Sequence, residues 1–410
     1  MNHTQSPFIG TVRVVSWATG LPNVTEAHIE FGLADAEPTM SAPVDLNEER
    51  YRTLLLGMKA EREYAFRIVA GDGETTCTSD EFSFTTGALP SHVPAITKTA
   101  HTPGGFEGFI VTSPGVATLN MSDGHPDAYI FDTDGDVVWW SPSTEIEISR
   151  SRLSWDAKAM WSVRAPGGFL VRSVSMDGST MSSVAGVEGA HHDFAPLPGG
   201  GVAALTYEGT AGMGRDFITE VAPDGTATRI AEVAELLEPP TSGTYHPNAL
   251  RYHPEDDTFT LSDLNTNAFV KLTRSGEVVW QLGGQNPRGQ AFTLVDLEPW
   301  LANHGHDQRA DGHFLFFNNG RTGEGDSKIL EVKLDETTWT ATKTWEYADA
   351  ASTYYLGDVA YLPNGNVLVT YSNVGLIQEV DSSGAVVQSF QGTTFGYVEF
   401  RTSLYGPPLH

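Results

Sequence analysis

Two short elements recur along the chain, and their recurrence constrains the fold more than any other feature. The first is a turn feeding a strand. Leu197-Pro198-Gly199-Gly200-Gly201-Val202-Ala203, Ala310-Asp311-Gly312-His313-Phe314-Leu315-Phe316 and Leu362-Pro363-Asn364-Gly365-Asn366-Val367-Leu368 are copies of it. Ala165-Pro166-Gly167-Gly168-Phe169 is a fourth, and His253-Pro254-Glu255-Asp256-Asp257 fills the same slot without glycine. The second element is a hairpin turn followed by a strand that often ends in tryptophan. Asp132-Thr133-Asp134-Gly135-Asp136-Val137-Val138-Trp139 and Thr273-Arg274-Ser275-Gly276-Glu277-Val278-Val279-Trp280 carry it, and Asp381-Ser382-Ser383-Gly384-Ala385 and Ala222-Pro223-Asp224-Gly225-Thr226 are shorter copies. Paired, the two elements define about six units, near 106–140, 157–187, 191–232, 246–283, 304–347 and 357–391. Units of several short strands at periods of roughly 30 to 60 residues are the pattern of propeller blades. The expected fold is therefore all-β, with a six-bladed β-propeller over residues 93–410. Helix is nearly absent, apart from one turn expected at Val233-Ala234-Glu235-Leu236-Leu237.

Residues 11 to 88 alternate differently. Thr11-Val12-Arg13-Val14-Val15-Ser16-Trp17, Ala27-His28-Ile29-Glu30-Phe31-Gly32 and Tyr64-Ala65-Phe66-Arg67-Ile68-Val69-Ala70 read as strands with one buried face. Roughly seven such strands in a short segment imply a sandwich, and a Pro-, Thr- and Ser-rich stretch from Gly87 to Thr102 separates it from the repeats. Tyr51 to Lys59, ahead of the Tyr64 strand, resembles the corner of a fibronectin type III domain. The division is 1–92 for this small β-sandwich and 93–410 for the propeller, and the sandwich is expected to support or dock rather than to catalyse.

Aligned on the repeated turn, Asp193, Asp307 and Asp358 occupy one slot, preceded by His192, His306 and Gly357. His246-Pro247-Asn248 lies at the same place in its own unit. In a propeller these positions start the innermost strands and meet at one mouth of the channel. Six of the 13 histidines lie in or beside the slots: His191, His192, His246, His253, His304 and His306. Converging imidazoles are costly to bury without use, which points to function, whereas the three aspartates are expected to hold backbone or imidazole N–H groups.

Other classes are excluded. A net charge of −28 repels nucleic acid and anionic membranes. The single cysteine, Cys77, leaves no intramolecular disulfide and no zinc–thiolate cluster. No apolar run approaches the roughly 20 residues of a spanning helix. Met1 to Gly10 has neither the basic nor the apolar region of a signal peptide, so a cytoplasmic protein is expected, or a periplasmic or secreted one whose leader has been removed. The Asp132-to-Asp136 run imitates the start of a calcium loop, but the twelfth position is Ser143 rather than a liganding glutamate.

Over residues 100 to 408 the chain resembles the arylsulfotransferase family. The similarity is carried by His191-His192-Asp193 with Leu197-Pro198, by His246-Pro247-Asn248, by Val278-Val279-Trp280-Gln281-Leu282-Gly283-Gly284, and by His304-Gly305-His306-Asp307 with Phe316-Phe317-Asn318-Asn319-Gly320. It implies transfer of a sulfuryl group between phenols through a transient sulfohistidine, with a small phenolic or aryl sulfate substrate and no cofactor. Carried over residue by residue, His306 resembles the nucleophile, and His192, His246 and Asn248 match the positions that hold the sulfuryl and phenolic oxygens; the additional His191 and His304, with Arg309, are expected to bind substrate beside them. Asp193, Asp307 and Asp358 support them. One departure stands out: the family's arginine, expected in Leu261-Ser262-Asp263-Leu264-Asn265, is replaced by Leu264, and Arg251, Arg309 or Arg321 would have to substitute. A second reading keeps the fold and makes His192, His246, His304 and His306 ligands of a divalent metal that activates water or oxygen. A third makes the propeller a binding module without chemistry.

Overall fold

The computed structural model of the protein describes residues 1–115, 126–143, 148–164, 170–209, 214–320 and 327–408. Short β-branched and aromatic runs form the strands, and a three-residue glycine turn reverses the chain between them. Thr273 N–H donates to Glu277 O and Gly276 N–H to Thr273 O, both at 2.9 Å. Gly276 sits at φ +88°, where a Cβ would also meet Ile230 O at 2.3 Å. The same pair of bonds closes Asp132–Asp136, Ala222–Thr226 and Asp381–Ala385, and also Leu197–Gly201, Arg309–His313 and Leu362–Asn366. Both recurring sequence elements are thus one kind of turn. The copy at 165–169 lies outside the described residues.

Among the described residues beyond 96, these turns build six sheets of mainly antiparallel neighbours, two of which carry a short parallel strand at the outer edge, Gln290–Ala291 and Thr293–Val295. In five of them the chain enters on a leading strand and steps outward one neighbour at a time. The leading strands are Ile148–Leu153, Ala190–Pro196, Pro247–His253, Asn303–Gln308 and Asp358–Tyr361. The remaining sheet draws on both ends of the region: Glu399–Arg401 takes the leading place beside Phe109–Thr112, followed by Tyr129–Asp132 and Val137–Trp140. In return Thr97–His101 adds to the outer edge of the last sheet, against Val386–Gln391. Start and end of the region are locked together by strand pairing. The one α-helix among the described residues is Val233–Leu236.

A buried charge network ties the leading strands to one another. Arg150 is fully buried; its Nε and Nη2 donate to the two carboxylate oxygens of Asp193 at 2.9 and 3.2 Å, and its Nη1 to Asp358 Oδ2 at 2.7 Å and Val398 O at 2.9 Å. Arg251 donates from Nη2 to Asp358 Oδ1 and from Nε to His306 O, both at 2.9 Å. Each aspartate also accepts a backbone N–H from the next sheet: Asp193 from Leu250 at 3.0 Å, Asp307 from Tyr361 at 2.9 Å, Asp358 from Val398 at 3.0 Å. All six sheets are therefore joined at their leading edges. Burial opposes charge here, yet Asp193 and Asp358 outweigh it and strengthen the hold of Arg150 on its proton. At Asp193, Arg150, Arg152 and Arg251 likewise outweigh burial and keep the carboxyl below its usual range. The sequence reading starts the second unit near 157. The sheet in fact begins at Ile148, because Ile148-Ser149-Arg150-Ser151-Arg152-Leu153 is a fully buried strand that carries two arginines and so does not read as core.

Residues 2–85 form two further sheets, one of Asn2–Gln5, Arg13–Ser16 and Thr53–Leu55, the other built on Glu26–Leu33 and Glu63–Gly71. Val15, Trp17, Ile29, Phe31, Leu55 and Phe66 share the core between them. Lys59 N–H donates to Tyr64 Oη at 2.9 Å, a corner bond of the sandwich type. This unit packs onto the six sheets: Ile9, Val12 and Leu56 enter the same core as Trp139 and Met176, and Thr11 Oγ1 donates to Val138 O at 2.6 Å. Arg52 pairs with Asp177. Lys59 Nζ lies 3.3, 2.6 and 2.8 Å from Asp132, Asp134 and Asp136, so the cation in that calcium-like turn is an ammonium from the chain itself.

Arg150→Met should leave Asp193 and Asp358 buried without their main partner and cost about 3–5 kcal/mol of stability. Urea unfolding of the substituted and unsubstituted proteins measures it.

Candidate active site

The leading strands begin irregularly. Register shifts lie between Ala190 and Phe194, between Pro247 and Ala249, and between Asn303 and His306. Each shift inserts residues that the partner strand does not match, which breaks the in–out alternation and turns side chains towards the space between strand starts. Four imidazoles meet there. His191 and His192 approach Nδ1 to Nδ1 at 2.7 Å, so one of the two nitrogens carries the proton. The His192 ring lies 4.9 Å from that of His246, edge to face. His191 Nε2 faces Asp216 Oδ1 at 3.3 Å, and its ring lies 5.5 Å from Tyr207. His192 and His246 are half-buried and form the open side, while His304 is 3% exposed.

His304 has a fixed tautomer. Asn319 donates from Nδ2 to Thr353 O at 2.8 Å and to Leu356 O at 2.9 Å, so its Oδ1 is the acceptor that faces His304 Nδ1 at 2.6 Å. The proton therefore sits on Nδ1 and the lone pair on Nε2, which has no hydrogen-bond partner among the described residues. Burial lowers the His304 pKa to about 4, with the Asn319 bond opposing and His246 adding to the fall. Burial also takes His192 well below 6.5, and His246, His191 and His304 each add to the cost of a proton there. Burial lowers His246 as well. These three rings are neutral near pH 7. Beside them Asp263 accepts from His246 N–H, Thr266 N–H and Thr266 Oγ1, and burial pushes its carboxyl up to about 6.

His306, expected as the nucleophile, is not in the cluster. The shift between Asn303 and His306 puts His304 and His306 on different faces of their strand. The His306 ring is fully buried, 5.2 Å from Phe269 and stacked 5.5 Å from Phe314. Its Nε2 meets Thr260 Oγ1 at 2.7 Å, which in turn meets His253 Nε2 at 2.9 Å. Arg309 is also elsewhere: it pairs with Asp311 at 2.6 Å in the turn at the opposite end of its strand. Asn248 donates from Nδ2 to Asn303 O at 2.8 Å, and its Oδ1 is buried without a partner. Asp193, Asp307 and Asp358 lie one layer below, in the charge network. Leu264 brings no cation; its backbone N–H donates to His246 O at 3.1 Å. Arg251 is committed to the network and Arg321 lies outside the described residues.

Two residues to which the sequence reading gave no role complete the site. Tyr397 donates from Oη to Asn248 O at 2.9 Å, lies 6.5 Å ring to ring from His304, and covers the Arg150 guanidinium at 4.3 Å. It forms the floor between the imidazoles and the charges. Asn319, which sets the His304 tautomer, was visible only within Phe317-Asn318-Asn319-Gly320. Among the described residues, the group of three or more ligand atoms that all lie within 4.8 Å of one another is Asp132, Asp134 and Asp136, where Lys59 already sits, and the four imidazoles do not form such a group.

The family described as Arylsulfotransferase (ASST) matches residues 107–401, a span that takes in all six leading strands and every imidazole of the cluster. The chain belongs to the arylsulfotransferase family. No curated protein matches it. Among solved structures, it is similar to a putative 6-phosphogluconolactonase from Bacteroides fragilis at 13% identity, over 73% of this chain and 99% of that one, with a TM-score of 0.45. A periplasmic gluconolactonase from Pseudomonas aeruginosa aligns at 14% identity over 93% and 100%, with a TM-score of 0.46. A catalytically inactive virginiamycin B lyase from Staphylococcus aureus aligns at 14% over 72% and 87%, with a TM-score of 0.43. The arylsulfotransferase match leaves out the N-terminal sheets. Among the described residues no helix is long and apolar enough to cross a membrane.

The depressed pKa of His304 has a consequence for stability. Unfolded, an imidazole takes up a proton below pH 6.5; folded, this one waits until about 4. The unfolded state therefore holds more protons in that window, and stability falls as pH drops through it. One such residue contributes about 3 kcal/mol of the loss, at ~1.4 kcal/mol for each pH unit. His304→Gln should lose correspondingly less stability between pH 7 and 4.5, as read from urea unfolding at the two pH values; identical losses would contradict the assignment.

Proposed function

We propose that this arylsulfotransferase-family chain moves a sulfuryl group from an aryl sulfate to a phenol, at the centre of a six-bladed β-propeller spanning 93–410 that carries a fibronectin type III-like sandwich over 1–92. The observation that carries the reading is the His304–Asn319 bond, which leaves an unprotonated Nε2 beside two neutral imidazoles. Nε2 of His304 attacks the sulfur, the S–O bond to the aromatic ring breaks, and the ring N–H of His246 or His192 steadies the departing phenolate by a hydrogen bond until it leaves and takes its proton from water. The sulfated His304 keeps its Nδ1 proton against Asn319. An acceptor phenol then gives its proton to the lone-pair nitrogen of His246 or His192, attacks the sulfur and restores Nε2, and the imidazolium formed passes that proton to water. Protons and sulfuryl group balance over the cycle, which is ping-pong. Asn248 and the His191–His192 pair supply polar contacts for the sulfuryl oxygens.

Intact-protein mass spectrometry after mixing with p-nitrophenyl sulfate separates the two nucleophile assignments. His304→Ala should gain no sulfuryl mass, whereas His306→Phe, which preserves the ring between Phe269 and Phe314, should still be labelled. The reverse pattern would return the role to His306. Replacing His246 by Gln should slow transfer by about 10²–10⁴-fold.

The pH dependence follows from the His304 pKa. An ordinary imidazole nucleophile loses activity below 6.5, but this one stays unprotonated down to about 4. The rate of phenolate release in the first turnover should be level from pH 8 to 5 and fall only below that. A fall centred near 6.5 would point to another group.

A further inference from the structure

The channel has a second end, and it holds a cavity of about 590 Å³, within the usual range of a small-molecule site. Its wall includes Arg152, Trp155, Tyr252, His253, Arg309 and Tyr361, at or just beyond the closing ends of the leading strands. Arg150, Asp193, Asp358 and Tyr397, all 0% exposed, lie between this cavity and the imidazole cluster. The two spaces are therefore separate.

Arg152 is the group the fold leaves unsatisfied. Its side chain is 8% exposed, and its Nε and Nη2 are buried without a hydrogen-bond partner. Its nearest carboxylate oxygen, Asp193 Oδ1 at 3.6 Å, is already taken by Arg150 Nε at 2.9 Å and the Phe194 N–H at 2.8 Å. Asp358 is shared by Arg150 and Arg251. Arg150 and Arg251 thus occupy the carboxylates at the junction, and Arg152 is the guanidinium left without a hydrogen-bonded one. Burial lowers its pKa to about 9, with Asp193 opposing and repulsion from Arg150 and Arg251 adding to the fall. Among the described residues no acidic group in the wall hydrogen-bonds to it, although Glu399 attracts it electrostatically: Asp307 accepts the N–H groups of Gln308 and Tyr361, Glu399 accepts Leu153 N–H and pairs with Arg401, and Glu255 is exposed. A desolvated guanidinium with free donors on a cavity wall is a receptor for an oxyanion. Trp155, Tyr252 and Tyr361 supply flat apolar surface beside it, with Trp155 and Tyr252 edge to face at 6.5 Å.

We propose that this far cavity is a second binding site, for a small aromatic oxyanion (an aryl carboxylate or aryl sulfate), with Arg152 as the anion anchor and Trp155 and Tyr252 as the walls for the ring. The N-terminal unit braces the turn that carries Trp155, because Lys158 in the same turn pairs with Asp45 at 3.0 Å. The site does not depend on the sulfuryl-transfer reading.

Benzoate, which cannot donate a sulfuryl group, is the probe, with benzyl alcohol as the neutral control and inorganic sulfate as the control without a ring. Thermal unfolding and tryptophan fluorescence of the full chain should show saturable benzoate binding, equal in His304→Asn, and no effect of benzyl alcohol. Arg152→Met should weaken benzoate by at least about tenfold while unfolding no earlier than the unsubstituted protein without ligand, because it removes an unpaired buried charge. Trp155→Ala should weaken benzoate but not inorganic sulfate. The proposal is overturned if benzoate does not bind, if Arg152→Met binds it unchanged, or if that variant is destabilised without ligand, which would make Arg152 a structural residue. Sulfate binding as tightly as benzoate overturns the aromatic part, and loss of benzoate binding in His304→Asn would place the anion at the imidazole cluster instead.

Discussion

Six strands from six sheets are held at one place by Arg150, Arg251 and three aspartates, with Arg150, Asp193 and Asp358 fully buried, and the rest of the structure depends on that junction. A purely apolar junction would not set the rotation or height of one sheet against the next, since apolar contact has no preferred direction. Asp193, Asp307 and Asp358 do set them, because each accepts a specific backbone N–H from the following sheet. Arg150 then spans Asp193 and Asp358, which come from sheets distant in the chain. Such an arrangement is costly to desolvate and gains little over apolar packing. What it offers is definition: the strand starts above it are positioned to within a hydrogen bond.

That definition is what the imidazole cluster requires. His191, His192, His246 and His304 come from three strands with irregular starts, and irregular starts by themselves would leave the rings free to scatter. Tyr397 transmits the order of the lower layer upward, lying flat on Arg150 and holding Asn248 O. Gly305 does so more directly. A Cβ there would meet Asp358 Oδ1 at 2.0 Å, so the chain between His304 and His306 can press onto the network only because the residue is glycine. The contact places the register shift, and the register shift decides which histidine faces the channel.

The repeats made much of this legible. Turn elements marked the strands, the His-Asp slots marked the leading strands, and the convergence of His192, His246 and their neighbours followed from alignment alone. The parts that escaped share a cause. Ile148–Leu153 carries Ser-Arg-Ser-Arg through the centre of the protein, and a polarity pattern cannot distinguish a buried ion-paired strand from a solvated one. Glu399–Arg401 completes a sheet begun nearly 300 residues earlier, so no local period announces it. Which of His304 and His306 faces the cluster turns on a one-residue shift, which reverses facing without altering composition. His306 kept the family's His-Asp motif in sequence while its ring went to Thr260 and two phenylalanines.

The replacement of the expected arginine by Leu264 can be read in the same physical terms. A permanent cation beside four imidazoles would repel any proton they share, and it would hold a sulfate ester tightly in the ground state as well as in the transition state, which does not lower the barrier between them. On the proposed reaction, neutral N–H groups in a withdrawn site bind an anion less strongly, but they can donate hydrogen bonds to the oxygen on which charge develops as the S–O bond breaks. The arginines of this junction lie one layer down, where Asp193 and Asp358 neutralise Arg150 and Tyr397 covers it. Charge serves the framework in this protein, and uncharged imidazoles serve the site.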